Sequence, residues 1–471
     1  MPGLYASINT TVKALTAHSR AIELTGKNLA NVNNPQYARQ RVIYGDRGMV
    51  ETPMGPESLG LEALGVEQVR DALLDRQVVR EVGLKASYEA QQSAYSRAQA
   101  GLGESIDRTA SASDPSGASG NGVAAALDDF FNAFQSFAAR PTDDGERQTL
   151  LQKAGILSDR FHFTDERLDR VQGDLDSVIN SDVGEVNRLL GTIAEINSQI
   201  GRFEFNSPGA AVDLRDQRQA RLEELAAKLP IDYTELPSGQ LQITTRDSGG
   251  SPIMLVDGST VQGTVAFTGT AVTAGSPAAA VGLTSGSIHG ALTARDGVVQ
   301  SLRDEIDALA SQLVAAVNAA YNPSGSTGDF FSASGLSAAT LSVDSSVTTT
   351  TLKASDGGAA GDNSVALAVA ALAHQSFSTS GGDAIDGTFS AFFGKSVIKL
   401  GEALSTANSR VEDQSSIERL VRGQRDAVSG VSLDEEMADL VKYQRSFQAS
   451  SRVFTVLDDL LDNVVNQLGR A

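Results

Sequence analysis

The residues that could carry chemistry in this chain are four histidines, several pairs of neighbouring carboxylates and one short glycine motif. The histidines are His18, His162, His289 and His374; they lie far apart and share none of the spacings with which proteins hold metal ions. The chain has no cysteine, which excludes thiolate metal sites, disulfides and cysteine nucleophiles. We therefore predict no metal site and no cofactor, and interpret the histidines as ordinary helix or surface residues.

The catalytic patterns are equally weak. Gly101-Leu102-Gly103 lacks the last glycine of a dinucleotide-binding loop, and neither a nucleophile elbow nor a phosphate-binding loop occurs. Neighbouring carboxylates such as Asp128-Asp129, Asp143-Asp144 and Asp304-Glu305 fit helix starts and solvated helix faces. An acid and base pair among them stays open on sequence grounds, but we predict that the chain is not an enzyme.

Charge and composition limit the partners. The formal net charge of −20 disfavours nucleic acid and anionic membranes, because both would meet like charge. No stretch approaches the ~18 consecutive apolar residues of a transmembrane helix. The N-terminal residues also lack the basic and apolar regions of a cleavable signal. If the protein leaves the cell, we expect it to use another route.

Hydrophobic periodicity predicts a mainly α chain with one small β insertion. Helices are expected at 4–31, 63–106, 123–156, 158–202, 209–229, 289–320, 364–373, 389–426 and from 432 onward. Non-helical segments are expected at 39–60 (a hairpin or extended arm), 109–122 (a low-complexity loop) and 322–363 (a short hairpin around ATLSVD). Alternating β-branched residues and an Asp257-Gly258 turn signal predict strands within 231–288.

The last helix carries the most regular pattern. Leucine or phenylalanine recurs at every seventh residue from 433 to 468, and a second row follows three residues later, as in a coiled-coil seam. The predicted seam residues are Leu433, Met437, Leu440, Tyr443, Phe447, Phe454, Leu457, Leu461, Val464 and Leu468. At the start of this helix, Ser432 and Glu435 have the spacing of a capping box.

The first helix has a weaker seam, at Ile8, Leu15, Ile22 and Leu29. Residues 1–48 carry six Lys/Arg against two Asp/Glu, whereas residues 426–471 carry four against eight. Opposite charges help to select partner and orientation, so we predict that the terminal helices pair as a coiled coil. The alternative, that both stripes complete one globular core, fits the strict register less well. The pair is small, which suggests that the ends are partly disordered in the free chain and become ordered on polymerisation.

Three domains follow from this interpretation. Residues 1–62 with 424–471 would form a terminal coiled-coil domain, and 63–230 with 289–423 a helical-bundle middle domain. Residues 231–288 would form a short β outer domain.

Two terminal stretches, LANVNNPQYARQ (29–40) and SLDEEMADLVKYQRSFQASSRVFTVLDDLLD (432–462), resemble the shared motifs of the axial proteins of the bacterial flagellum. The family turn motif maps onto Asn31, Asn33, Pro35, Tyr37, Arg39 and Gln40. Gln36 stands where the family usually has glycine, and Ala38 where it has serine or threonine. DLRDQRQARLEELAAKLPI (213–231) and AVNAAYNPSGSTGDFF (316–331) resemble the hook-associated group at the hook–filament junction.

The resemblance implies a structural adaptor that assembles at the distal end of the hook and joins hook to filament. It implies an extracellular, flagellar location and export without a cleavable signal. The implied partners are further copies of the chain, the hook protein, a second hook–filament junction protein and an export chaperone at the C-terminal helix. Alternatives are a rod or hook subunit, which would be mainly β outside its terminal coil, and a secreted hydrolase with a coiled-coil tail.

Overall fold

The computed structural model describes residues 2–45, 48–52, 55–58, 60–102, 122–325, 328–357 and 361–463. The predicted seam residues Val464 and Leu468, and almost all of the predicted loop 109–122, lie outside these ranges. The described chain is mainly helical, as the sequence predicts. Its α-helices are α1 (Pro2–Ala30), α2 (Ala72–Leu102), α3 (Val123–Ala139), α4 (Asp144–Phe203), α5 (Val212–Ala226), α6 (Gly286–Thr293), α7 (Gln300–Tyr321), α8 (Ser364–Ala371), α9 (Phe389–Ser429) and α10 (Leu433–Asp462).

The strands form small antiparallel sheets. They are β1 (Gln40–Gly45), β2 (Met49–Thr52), β3 (Gly55–Ser58), β4 (Glu62–Gln68), β5 (Asp232–Glu235), β6 (Leu241–Arg246), β7 (Pro252–Asp257), β8 (Thr260–Val261), β9 (Ala266–Phe267), β10 (Val272–Ala274) and β11 (Ala279–Ala280). The orders are β1-β4, β2-β3, β5-β6-β7-β8 and β11-β10-β9. Residues 231–288 therefore hold two sheets, followed by the start of α6.

Contacts divide the chain into two compact units. One unit contains residues 1–85, 183–286 and 414–471, and the other contains 86–182 and 287–413. Helices α2, α4, α6 and α9 contribute residues to both units. The three-domain division stays a prediction.

In the first unit, α1 lies against α10 and also contacts strands β1 and β4. The four-stranded sheet is fixed to α4 by Asn197, whose Nδ2 donates to the carbonyls of Leu241 (3.1 Å) and Gly258 (2.7 Å). The predicted Asp257-Gly258 turn joins β7 to β8, and Gly258 has a φ of +58°, which favours glycine.

In the second unit, the core is a cluster of phenylalanines. Phe130 and Phe134 on α3 lie with their ring centroids 5.8 and 5.2 Å from that of Phe330. Phe330 in turn packs edge-on against Phe331 at 5.0 Å and Tyr321 at 5.3 Å. Such pairs add to area burial because ring edges and faces carry opposite partial charges. Five of the chain's 25 aromatic residues thus meet where α3 approaches the segment after α7.

Two predicted helix boundaries are wrong. The helix predicted from 63 begins only at Ala72, because residues 62–68 form β4, whose Val66 pairs with Val42 of β1. The helix break predicted near 157 lies instead at 140–143, because Pro141 cannot continue α3. Helix α4 then starts after Asp143, whose Oδ1 accepts the Gly145 N–H at 2.8 Å as an N-terminal cap.

Three further segments differ in detail. The helix predicted over 289–320 starts at Gly286 and contains a π-helical segment, Ala294–Val299, between α6 and α7. The hairpin predicted around ATLSVD is reduced to one antiparallel bridge, between Phe331 and Val343. The helix predicted over 389–426 continues to Ser429.

The phenylalanine cluster gives a stability prediction. Phe134 is fully buried, so Phe134→Ala should destabilise the second unit by about 3–5 kcal/mol through lost burial and a residual cavity. Phe163, on α4 and 55% exposed, provides the matched control. Urea unfolding followed by circular dichroism should show a lowered midpoint for Phe134→Ala and little change for Phe163→Ala. Equal midpoints for both variants would contradict this packing.

Candidate assembly site: the terminal helix pair and the turn after the first helix

Helices α1 and α10 form an antiparallel pair. Asn28, near the end of α1, bonds to Glu436 in the first turn of α10. Leu15, in the middle of α1, lines a groove of about 400 Å³ together with Phe447, further along α10. The beginning of one helix therefore lies beside the end of the other.

One face of α10 follows the two predicted heptad rows. Leu440, Tyr443, Phe454, Leu457 and Leu461 are all partly buried, and Phe447 is 37% exposed. Leu433 and Met437 are each 50% exposed. Met437 lies off this face, whereas Leu433 continues its first row at the start of the helix. The structure thus brings most of the described seam residues of α10 to one side, and whether they also form contacts between subunits stays a prediction.

On α1, the predicted seam residues Ile8, Leu15, Ile22 and Leu29 are partly buried. Four of the buried positions form a different stripe, Ala17, Ala21, Leu24 and Asn28, each at most 8% exposed, and Thr11 and Thr25 are similarly buried. This stripe has the same alternating spacing of four and three residues, but its small and polar side chains hide it from a hydrophobicity pattern. Helix α1 is covered by α10 on one side and by β1 and β4 on another.

The turn after α1 is closed by its asparagines. Asn31 Nδ2 donates to the Lys27 carbonyl at 2.9 Å, and Asn34 Oδ1 accepts the Gln36 N–H at 3.2 Å. Pro35 prevents the helix from continuing. Asn33 and Pro35 are exposed, so their part in the motif is to shape the backbone.

Asn28 joins the turn to α10 with all of its hydrogen-bonding capacity. Its Nδ2 donates to Gln40 O (2.9 Å) and Glu436 Oε2 (3.0 Å). Its Oδ1 accepts the Tyr37 hydroxyl (2.7 Å) and the Gln40 N–H (3.1 Å). Asn28 is 2% exposed, and a fully satisfied amide at such depth specifies one arrangement of its neighbours.

Arg39 faces three carboxylates of α10. Its Nε donates to Glu436 at 2.7 Å, and its Nη1 and Nη2 donate to Glu435 at 2.7 Å and Asp439 at 3.4 Å. Burial alone would lower the pKa of Arg39, but the carboxylates of Glu436 and Glu435 outweigh it and raise that pKa. The guanidinium is therefore a permanent positive charge at the first turn of α10.

The predicted capping box is wrong for the same reason. Ser432 is the N-cap of α10, but its side chain makes no capping hydrogen bond. The carboxylate of Glu435 binds Arg39 instead of turning back to the helix start. The first turn of α10 is held by the opposite end of the chain.

Helix α5 contacts the residues around the turn through Asp213. Asp213 accepts Lys27 Nζ at 2.6 Å and Gln40 Nε2 at 3.0 Å. Burial raises the pKa of Asp213, but the bonds from Lys27 and Gln40 outweigh it and lower that pKa. Lys27 and Gln40, which are adjacent to the turn on either side, are thus fixed to one carboxylate.

Two arginines donate hydrogen bonds to backbone carbonyls of the turn. Arg425 of α9 donates to Pro35 O at 3.0 Å and to Glu223 at 2.7 Å. Arg70 donates to Gln36 O at 3.2 Å and to Asp216 at 2.5 Å. Gln36, the residue that replaces the family's usual glycine, is therefore accommodated with both backbone groups bonded.

We call this set the turn cluster: Asn28, Tyr37, Arg39, Gln40, Arg70, Asp213, Asp216, Glu223, Arg425 and Glu436. Sequence reasoning found Tyr37, Arg39 and Gln40 and missed the others. One signal was available, because Glu436 lies seven residues before Tyr443, in the second heptad row. A carboxylate in an apolar row needs a basic partner.

The histidines were the candidate metal ligands of the sequence. Among the described residues, no group of three or more histidine and carboxylate side chains lies close enough to hold a metal ion. His289 Nδ1 lies 2.9 Å from the hydroxyl of Ser87, and burial lowers the pKa of that histidine. No helix in the described ranges is both long and apolar enough to cross a membrane.

Comparisons with known proteins match both the middle and the C-terminal end of the chain. Residues 115–331 match the family described as the flagellar hook-associated protein FlgK helical domain. Residues 424–468 match the C-terminal family of flagellar basal body rod FlgEFG proteins. The two matches together cover more than half of the chain. They include α10 with its turn-cluster residue Glu436.

Three relatives of this chain carry the same name. Flagellar hook-associated protein 1 of Bacillus subtilis is 26% identical over 100% of this chain and 99% of its own length. The proteins of the same name from Escherichia coli and Salmonella typhimurium are 26% and 27% identical, over 70% and 69% of this chain. Those two alignments span 60% and 59% of the relatives' own lengths.

A solved structure, that of the flagellar hook junction protein FlgK from Burkholderia pseudomallei, aligns with a TM-score of 0.45 and 20% identity. The alignment covers 54% of this chain and 46% of that one. Because this superposition is partial, the assignment depends on the sequence matches.

Paired terminal helices with a rod-type C-terminal segment define a flagellar axial protein, and the helical middle distinguishes it from subunits that are mainly β there. Along its whole length the chain is similar to flagellar hook-associated protein 1, and its middle and C-terminal end match two flagellar families. These similarities indicate a structural protein of the flagellum.

Glu436 gives the sharpest test of the turn cluster. Its two oxygens accept from two different donors, Arg39 Nε and Asn28 Nδ2, and a glutamine offers only one acceptor oxygen. Glu436→Gln should therefore leave a buried donor unpaired and lower the free energy of unfolding by about 1–3 kcal/mol.

Glu435→Gln is the matched control, since Glu435 binds the same arginine but its side chain is 63% exposed. It should change the unfolding free energy by less than about 1 kcal/mol. Urea unfolding of both full-length variants measures the difference. An equal or smaller effect of Glu436→Gln would show that the buried carboxylate does not join the two chain ends.

Proposed function

We propose that this chain is a structural adaptor subunit that assembles at the distal end of the flagellar hook and joins hook to filament. The support is the two flagellar family matches and the similarity to flagellar hook-associated protein 1, together with the geometry of the terminal helix pair. The subunits would pack through α1 and α10. The role requires no catalytic step and no cofactor.

The observation that carries the proposal is the apolar surface that α10 leaves uncovered. Besides the face directed to α1, α10 exposes Met437 by 50% and Val441 by 46%. Nearer its end it exposes Val453, Val456 and Leu460 by 49–58%. At about 100° per residue, these two sets lie on opposite flanks of the face that meets α1. Contiguous exposed apolar surface of this kind marks an interaction site.

Further copies of the chain and the hook protein are the partners that fit this surface best, since the family assembles in the flagellum. We also propose a second hook–filament junction protein as the partner on the filament side. An export chaperone would cover the exposed residues of α10 before assembly, and export would proceed without a cleaved signal.

The alternatives have less support. A rod or hook subunit would not account for the match of residues 115–331 to a hook-associated helical domain. The hydrolase alternative has no supporting observation among the described residues. A rigid ring of helical subunits would instead separate hook and filament mechanically, so that bending of the hook does not strain the filament.

A charge inside the helix pair tests the proposal. Leu440 lies on the partly buried face of α10, and Leu440→Asp would bury an unpaired carboxylate at a cost of several kcal/mol. In cells that carry this variant as their only copy, we expect loss of motility and of extracellular filaments. Gln444→Asp places the same charge one turn later at an exposed position, so motility should persist.

Swimming assays and electron microscopy of filaments measure both variants. Normal filaments with Leu440→Asp would contradict assembly through this helix pair. Loss of filaments with Gln444→Asp alone would show that the exposed side of α10, and not its pairing with α1, carries the function.

A further inference from the structure

The segment Arg202–Pro208, which we call the aromatic tip, contains the last two residues of α4 and the five residues that follow. Phe203 is 69% exposed and Phe205 is 84% exposed. Among the described residues these are the two most exposed large hydrophobic side chains. Neither terminal helix contains them, and the adaptor role as argued above does not use them.

The aromatic tip is held in place by the residue between its two phenylalanines. Glu204 is 5% exposed, and its Oε1 and Oε2 each accept a bond of 2.8 Å from Arg215. Its Oε1 also accepts the Ala211 N–H at 3.1 Å. Burial raises the pKa of Glu204, but these bonds outweigh it and lower that pKa, so the carboxylate stays charged.

The bonds of Glu204 also fix the position of the loop that follows it. Ala211 packs with Ile196 and Ile200, so the bonds of Glu204 hold the loop against the side of α4. The backbone is thus fixed with two aromatic side chains turned to solvent. Aromatic side chains held in advance in one position lose little freedom on binding, which is the property of an interface anchor.

The exposed charge at the aromatic tip is positive. Arg202 is exposed, and within the described part of the chain it makes no ion pair, only a hydrogen bond from Nε to Ser198 O at 3.4 Å. The one carboxylate of the segment, Glu204, is buried against Arg215. The matching surface should therefore be apolar and acidic.

The end of α10 has that character. Val453, Val456 and Leu460 lie on one flank of the helix and are 52%, 58% and 49% exposed. From Thr455 to Asp462 the helix carries three aspartates and no basic residue. Asp459 follows Val456 by one turn and so borders this flank.

We propose that the aromatic tip of one subunit packs against Val453, Val456 and Leu460 of a second copy of the chain, with Arg202 facing Asp459. The inference depends on the proposed function, since it names the contact through which copies assemble. The surface patches are different on the two partners, so the contact is heterologous and can continue from copy to copy around a ring.

Disulfide trapping tests the contact directly, because the natural chain has no cysteine. The doubly substituted chain Phe205→Cys/Val456→Cys replaces the only copy in a motile cell, and detached flagella are oxidised and separated without reductant. We expect disulfide-linked dimers and higher multimers of this chain. Phe205→Cys/Val441→Cys is the matched control, since Val441 is exposed on the opposite flank of α10.

At least ten times more linked chain than in the control supports the contact. Equal linking, no linking in flagella that carry normal filaments, or linking only to a different protein overturns it. The adaptor role is read separately, from the filaments and motility of the same cells. Both can be normal while the trapping fails, and the proposed function then stands without this contact.

A charge exchange covers the case in which the doubly substituted chain does not assemble. Arg202→Glu should reduce the number of filaments per cell at least threefold, and Asp459→Arg in the same chain should restore it. Filament numbers unchanged by Arg202→Glu, or a defect that Asp459→Arg does not relieve, would also overturn the contact.

Discussion

A single buried carboxylate, that of Glu436, connects the two ends of the chain. It accepts hydrogen bonds from Arg39 and Asn28, which lie on either side of the turn after α1, and it is 2% exposed. A carboxylate at this depth is stable only while its partners are present, so it selects the one register in which α1, the turn and α10 meet. The other members of the turn cluster then hold the turn against α5 and α9.

The rest of the terminal pair is less well anchored. After the turn cluster, the contact between α1 and α10 consists of partly buried apolar side chains, and the flanks of α10 remain exposed. One end of the pair is therefore fixed by buried, charge-assisted bonds, while the other depends on what covers its apolar flanks. This arrangement suits a subunit that presents a preset helix pair to its neighbours and gains most of its burial from them. The similarity to flagellar hook-associated protein 1 and the geometry of the helix pair support the same proposed assembly role.

The sequence predicted those elements that depend on a local pattern of residue types. The heptad rows of α10, the helix stop at Asn33-Asn34-Pro35 and the Asp257-Gly258 turn all depend on local residue types. Strand β4 was missed because its existence depends on pairing with β1, about twenty residues away. Most of the turn cluster was missed because it joins side chains from five separate segments, and no local pattern records such contacts. Pro141 is a helix-breaking residue that the sequence shows, and it ends α3 although the apolar periodicity continues on both sides of it.

The central claim is that α10 is fixed at its first turn within the chain and completed along its length by other copies. Amide hydrogen exchange, measured residue by residue on the free chain and on detached flagella, tests this most directly. We expect slow exchange around Glu436 in both states. Around Val453 to Leu460, we expect fast exchange in the free chain that slows at least tenfold on assembly. Uniformly slow exchange along α10 in the free chain, unchanged in flagella, would contradict the account.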